Sequence, residues 1–289
     1  MAALPGILVE TDWLAAELGA DDLRIYDCTT HLRPAVGALY RIESGREDYD
    51  SGHIPGADFL DLQGELSDAS SSLRFMLPGA DQFAAAVGRH GLGDGARVVL
   101  YSTGSPQWAT RIWWMLRAFG FDNAAVLNGG FARWQEEGRP ISTAPAAYPA
   151  ATFTPAPREG LFLDKDAVRE ALDNEGDVIV NALAPAMYRG DVEQHYGRPG
   201  HIAGSVNVPA PHLLERDSGL YRTPEALRTL FEAAGLQADK RAVIYCGGGI
   251  AATADAFALS LLGHEDIAVY DASLSEWAQD ASCPMETET

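Results

Sequence analysis

Compact apolar runs alternate with amphipathic stretches along this chain, and they do so twice. Arg97-Val-Val-Leu-Tyr101 and Arg241-Ala-Val-Ile-Tyr245 are short, nearly unbroken apolar segments. A parallel strand covered on both faces requires such a run. Each leads through a turn into a longer segment of helical pattern, Trp108 to Phe119 and Ala251 to Leu262, and then into another apolar run, Ala124 to Leu127 and Ile267 to Tyr270. Upstream, Thr11 is placed to cap a helix reaching Leu18, with a strand from Leu23 to Tyr26 behind it. Asp164 opens the matching helix through Leu172, with a strand from Asp177 to Val180 behind it. Strand–helix alternation of this kind predicts an α/β fold, in which a parallel sheet flanked by helices is built in each half.

The two halves also share words. Ser51-Gly-His-Ile-Pro-Gly-Ala-Asp58 returns as Pro199-Gly-His-Ile-Ala-Gly-Ser-Val206, the apolar run ending at Ser102 returns as the one ending at Cys246, and Gly120 to Trp134 returns as Gly263 to Trp277. Three blocks in one order with a slowly drifting offset mark an internal duplication. Between the halves, Arg139 to Gly160 carries Pro140, Pro145, Pro149, Pro155 and Pro157. Proline at that density cannot continue a helix or a central strand and suits an extended, semi-rigid linker. The boundary is placed near Pro149, giving domains 1–148 and 149–289 of a 289-residue chain, a comfortable size for each.

Composition narrows the functions. A formal net charge of −20 disfavours nucleic acid and anionic membrane as partners. No apolar run approaches the roughly 20 residues of a membrane span. The first residues carry Glu10, Asp12 and Glu17 and no basic region, so a cytoplasmic protein is expected. Three cysteines, Cys28, Cys246 and Cys283, form neither a disulfide framework nor a zinc pattern, and no metal site is expected.

One of these cysteines has a distinctive setting. In Tyr245-Cys246-Gly247-Gly248-Gly249-Ile250-Ala251 a strand ends, three glycines follow and a helix starts. Ligands bind at the carboxyl ends of strands in such sheets. Glycines let the backbone curl so that several N–H groups converge, and the helix start adds partial positive charge. A cysteine there is expected to be a thiolate nucleophile. Gly247-x-Gly249-x-x-Ala252 with Asp271 downstream also matches a dinucleotide fingerprint, but too little chain follows for the rest of that fold. A cysteine phosphatase needs an arginine where Ala252 stands. Cys28 and Cys283 have no glycine cradle. His53 and His201 recur in both halves, so a fold-supporting role is expected for them.

With tandem parallel units, Gly-His-Ile-x-Gly in each half and Cys-Gly-x-Gly-Ile in the second half only, the chain resembles the two-domain rhodanese family, which includes thiosulfate and 3-mercaptopyruvate sulfurtransferases. The resemblance runs from about Leu8 to Met285. It implies two tandem rhodanese-like domains, the first catalytically silent, with Ser102 at its loop head. It also implies that Cys246 takes a sulfane sulfur from a small anionic donor as a persulfide and passes it to a thiol such as thioredoxin or glutathione, or to cyanide, without a cofactor. Departures from the family pattern concern the donor. Gly247 and Gly248 stand where thiosulfate-type loops are basic, Gly248 also replaces the serine of mercaptopyruvate-type loops, Leu183 and Met187 replace arginines, and Phe75 replaces a histidine. Arg189, with Tyr188 beside it, and Arg74 are the candidate replacements for donor binding. The missing arginines keep a non-catalytic sulfur carrier or scaffold as the alternative.

Overall fold

The computed structural model describes residues 3–146 and 148–288. It contains two five-stranded sheets, each parallel throughout. In the first sheet the strands lie in the order Leu8–Val9, Ala124–Leu127, Arg97–Tyr101, Leu23–Asp27, Asp58–Phe59. In the second the order is Phe162–Leu163, Ile267–Tyr270, Arg241–Tyr245, Asp177–Asn181, Val206–Asn207. The two orders are the same order, so the duplication in sequence is a duplication in topology. The central strands Arg97–Tyr101 and Arg241–Tyr245 are buried almost throughout, as their unbroken apolar runs require.

The repeated turn words have one structural meaning. His53 stacks on Tyr49 with ring centroids 3.9 Å apart and bonds the Tyr49 carbonyl through Nδ1 at 2.7 Å. His201 stacks on Tyr188 at 3.7 Å and bonds the Tyr188 carbonyl at 2.8 Å. In each half the isoleucine amide that follows donates to the last tyrosine of the central strand, Ile54 to Tyr101 and Ile202 to Tyr245. Both histidines are buried and hold turns together.

One expectation changes. Thr11 does not cap its helix: Glu10 stands at the N-cap without a side-chain bond, and the Thr11 hydroxyl donates to Glu137 at 2.5 Å. A long-range carboxylate acceptor outcompetes the local amide. Asp164 does cap, accepting from the Ala167 amide at 2.9 Å. The proline-rich segment lies along the first half. Ala151 donates to Gly88, Ala156 to Phe119 and Arg158 to Ala118, while Arg158 pairs with Asp122. The second sheet begins only at Phe162.

The halves meet along the helices Gln107–Ala118 and Ala251–Leu261. These are the helices that follow the two central strands. Thr110 and Thr253 share a buried hydroxyl–hydroxyl bond of 2.9 Å there, and Trp113 meets Phe257 edge-on at 4.8 Å. One hydrophobic core runs through residues of both halves. The N-terminal ends of both helices, with the loops before them, therefore sit close to the seam.

Candidate active site

Cys246 follows the strand Arg241–Tyr245 and is 2% exposed. Its loop is held from one side by Ser273. The Cys246 and Gly249 amides both donate to the Ser273 hydroxyl, at 3.0 and 3.1 Å, and that hydroxyl donates to the Tyr270 carbonyl at 2.8 Å. Ser275 adds its amide and hydroxyl on the Gly247 carbonyl, at 2.8 and 2.6 Å. Among the described residues the amides of Gly247, Gly248, Ile250 and Ala251 make no hydrogen bond within the chain. Four free donors thus lie in the loop that follows Cys246, at the start of an 11-residue helix, a setting suited to anionic sulfur.

The three glycines serve different purposes. Only Gly249 is left-handed, at φ +70, and a Cβ there would meet the Asp271 carbonyl at 2.5 Å. Gly247 has ordinary torsions but no room, because the Tyr196 ring lies against it. A Cβ at Gly248 would make only ordinary contact with Ser275, at 3.5 Å. Among the described residues only two that are not glycine have positive φ, Phe75 at 64° and Ser273 at 50°. Ser273 bonds two of the loop's amides and Phe75 is tied to the loop through Arg111, and strain of that kind persists where surrounding contacts over-determine it. In the duplicate, Gly130 takes the place of Ser273 at φ +55.

The first half reaches into the site through Arg111. This side chain is fully buried; its Nη1 donates to the Gly249 carbonyl at 3.2 Å and its Nη2 to the Phe75 carbonyl at 2.5 Å. Nη2 also lies 2.7 Å from Asp271 Oδ1, an ion pair whose angle falls outside hydrogen-bond geometry. The other Asp271 oxygen accepts the Leu77 amide at 2.8 Å. Asp271 is therefore occupied, which removes the ribose-binding acid that a dinucleotide site needs.

A family model described as "Rhodanese-like domain" matches the chain twice, over residues 10–137 and 164–280. The chain belongs to the rhodanese family. The thiosulfate sulfurtransferase of Rattus norvegicus is 34% identical over 290 residues, covering 97% of this chain and 94% of that protein. The 3-mercaptopyruvate sulfurtransferase of Homo sapiens is 33% identical over 278 residues, 93% and 91% of the two chains. The crystal structure of SseA from Escherichia coli, a 3-mercaptopyruvate sulfotransferase of "Rhodanese" fold, matches with a TM-score of 0.80 at 30% identity, over 92% of this chain and 98% of that one. These relatives make this rhodanese-family chain a sulfurtransferase.

The remaining residues singled out in the sequence fall in different places. Arg74 lines a cavity of about 240 Å³ with Tyr40, His195, Tyr196, Ser275 and Gln279, directly over the Gly247 side of the loop. Arg189 does not line that cavity; it is half-exposed and pairs with Asp191 at 2.7 Å. Tyr188 is buried under His201, and its hydroxyl donates to the Ser205 carbonyl at 2.5 Å. Ser102, at the head of the duplicate loop, donates to the Ser105 carbonyl at 2.7 Å. Phe75 packs beside Trp108. Cys28 and Cys283 are buried, and burial pushes both thiols up. Arg111, Ser273, Tyr40 and Tyr196 were not foreseen from sequence. For Ser273 a signal existed, since it replaces a glycine of the duplicate block.

Proposed function

We propose that this sulfurtransferase works by double displacement through Cys246, with the loop Gly247, Gly248, Gly249, Ile250 and Ala251 as the cradle for the transferred sulfur. The Cys246 thiolate attacks the outer sulfur of a small anionic donor. With thiosulfate the S–S bond breaks and sulfite leaves with the electron pair. With 3-mercaptopyruvate the C–S bond breaks and the pyruvate enolate leaves and takes a proton. The resulting persulfide carries its charge on the outer sulfur, where the four unpartnered amides can receive it. An acceptor then attacks that outer sulfur and frees the thiolate. The acceptor is a thiol, such as thioredoxin or glutathione, or cyanide. A reducing, cytoplasmic setting suits a chain whose three cysteines are all free.

The observation that carries the reading is the set of unpartnered amides in the loop that directly follows a buried cysteine at a strand end. Arg74 is the cation we assign to the donor's anionic end. One of its nitrogens already holds the Tyr40 carbonyl at 2.9 Å, and the guanidinium has further donors. The loop itself has no Arg or Lys, so a mercaptopyruvate-like donor is favoured over thiosulfate. Domains 1–148 and 149–289 then divide the work, the first supplying Arg74 and Arg111, the second the nucleophile.

Steady-state kinetics with both donors test this. Cys246→Ser should lose transfer altogether, and Arg74→Ala should lose about tenfold to a few hundredfold in kcat/KM, the range for one charge-assisted bond. Unchanged kcat/KM in Arg74→Ala with both donors would remove Arg74 from the site and leave the backbone cradle alone.

A further inference from the structure

Two tyrosines, one from each half of the chain, lie on the Gly247 side of the Cys246 loop. Tyr196, on the 191–200 segment, lies so close to Gly247 that a Cβ there would overlap its ring and hydroxyl. Tyr40, on the strand Ala38–Ser44 of a two-stranded antiparallel hairpin, meets Tyr196 edge-on, with ring centroids 6.5 Å apart and planes at 65°. Burial pushes both phenols above their ordinary value, and a charge on Cys246 pushes both further in the same direction. The backbones behind the rings are fixed. Arg74 holds the Tyr40 carbonyl and lies 5.1 Å from its ring centre. Gln279 donates to the Tyr196 carbonyl, and Arg198 donates to the carbonyls of Trp277, Ala278, Asp280 and Cys283. The two side chains, only partly buried, meet by an edge contact across the seam. Turning either ring aside breaks no backbone hydrogen bond.

We infer that Tyr40 and Tyr196 form a two-part cover over Cys246, and that Tyr196, seated in the space left by the missing side chain at Gly247, determines how large a donor reaches the sulfur. A small anion held by the cavity outside needs the rings to part only slightly. A bulky sulfur donor needs one ring displaced into water, which slows it by about ten- to a hundredfold, the penalty for exposing one apolar ring. The cover therefore selects small sulfur donors. This rests on Cys246 as the nucleophile, and the test separates the two claims.

The experiment compares rates of Cys246 alkylation by iodoacetamide and by a bulky aryl maleimide in the full chain, with the modified residue located by peptide mass mapping. Tyr196→Ala should raise the maleimide-to-iodoacetamide rate ratio about tenfold or more. Tyr40→Ala, in the other half, should raise it in the same direction, which keeps the test open if one variant does not fold. Tyr196→Phe keeps the ring and should leave the ratio within about twofold of the wild-type value. Donor size should follow: Tyr196→Ala gains turnover with a bulky aryl thiosulfonate relative to thiosulfate. A ratio unchanged in both alanine variants overturns the cover, and so does Tyr196→Phe matching Tyr196→Ala. Failure of the nucleophile assignment would look different, as transfer persisting in Cys246→Ser while the alkylation ratios still respond.

Discussion

Arg111→Met takes away the guanidinium by which the first half grips the reactive loop. Arg111 is fully buried, on the helix Gln107–Ala118, and it serves Gly249, Phe75 and Asp271 at once. Methionine keeps much of the stem's volume, so the loss is chiefly one of charge and donors. Removing one partner of a buried ion pair costs about 3–5 kcal/mol, because the other charge stays buried without compensation. Asp271 keeps the Leu77 amide, which puts the expectation at the low end, about 3 kcal/mol. At about 2–4 °C per kcal/mol for a chain of this order, the melting temperature should fall by roughly 6–12 °C. Asp271→Asn in the same chain removes the stranded charge and should recover part of that loss. Turnover should fall in the single variant, since the Gly249 carbonyl loses its anchor. Differential scanning calorimetry on wild type, both single variants and the double variant reads the coupling directly. A fall below about 2 °C in Arg111→Met, or strictly additive losses, would refute the clamp.

Two further outcomes are expected. Ser273→Ala removes the acceptor shared by the Cys246 and Gly249 amides and should cost about 1–3 kcal/mol together with turnover, whereas Ser273→Gly, easy at φ +50, should regain stability but not turnover; thermal melts beside kinetics check this, and an Ala variant equal to wild type in both would free Ser273 of the role. Asp255 is fully buried, neither of its carboxylate oxygens has a partner among the described residues, and burial holds its carboxyl well above the ordinary 3.8. The fold therefore keeps a proton that the unfolded chain releases, so Asp255 lowers stability progressively as pH rises above about 3.8 towards its folded value. Asp255→Asn should gain on wild type in melting temperature as pH is raised through that window, and a difference that does not vary with pH would count against it.

How much of this was written in the sequence depends on how far apart the contacting residues lie. Strands, loop helices and the glycine loop were legible because each is a local pattern, and the duplication supplied a second copy against which to read it. The same copy made His53 and His201 readable as turn supports. The Thr11 cap failed because a distant Glu137 offered a better partner than the neighbouring amide. Arg111 reaches Gly249 across 138 positions and Leu77 reaches Asp271 across 194, distances over which periodicity carries no information. The hairpin Thr30–Ala35 and Ala38–Ser44 went unseen because its outer residues are exposed and polar as well as apolar, without a clean alternation. Gly247 shows the limit of reading glycine as a torsion signal: its torsions are ordinary, and it makes room for a tyrosine 51 positions earlier in the chain.

The central claim is that Cys246 carries the sulfur in transit. Intact-protein mass spectrometry with peptide mapping, after brief incubation with thiosulfate or 3-mercaptopyruvate and no acceptor, tests it most directly. The account predicts the mass of one added sulfur atom on the Cys246 peptide, lost again on adding cyanide or a thiol and never gained by Cys246→Ser. Transfer that proceeds with no sulfur on Cys246, or with the added sulfur on Cys28 or Cys283 instead, would contradict it.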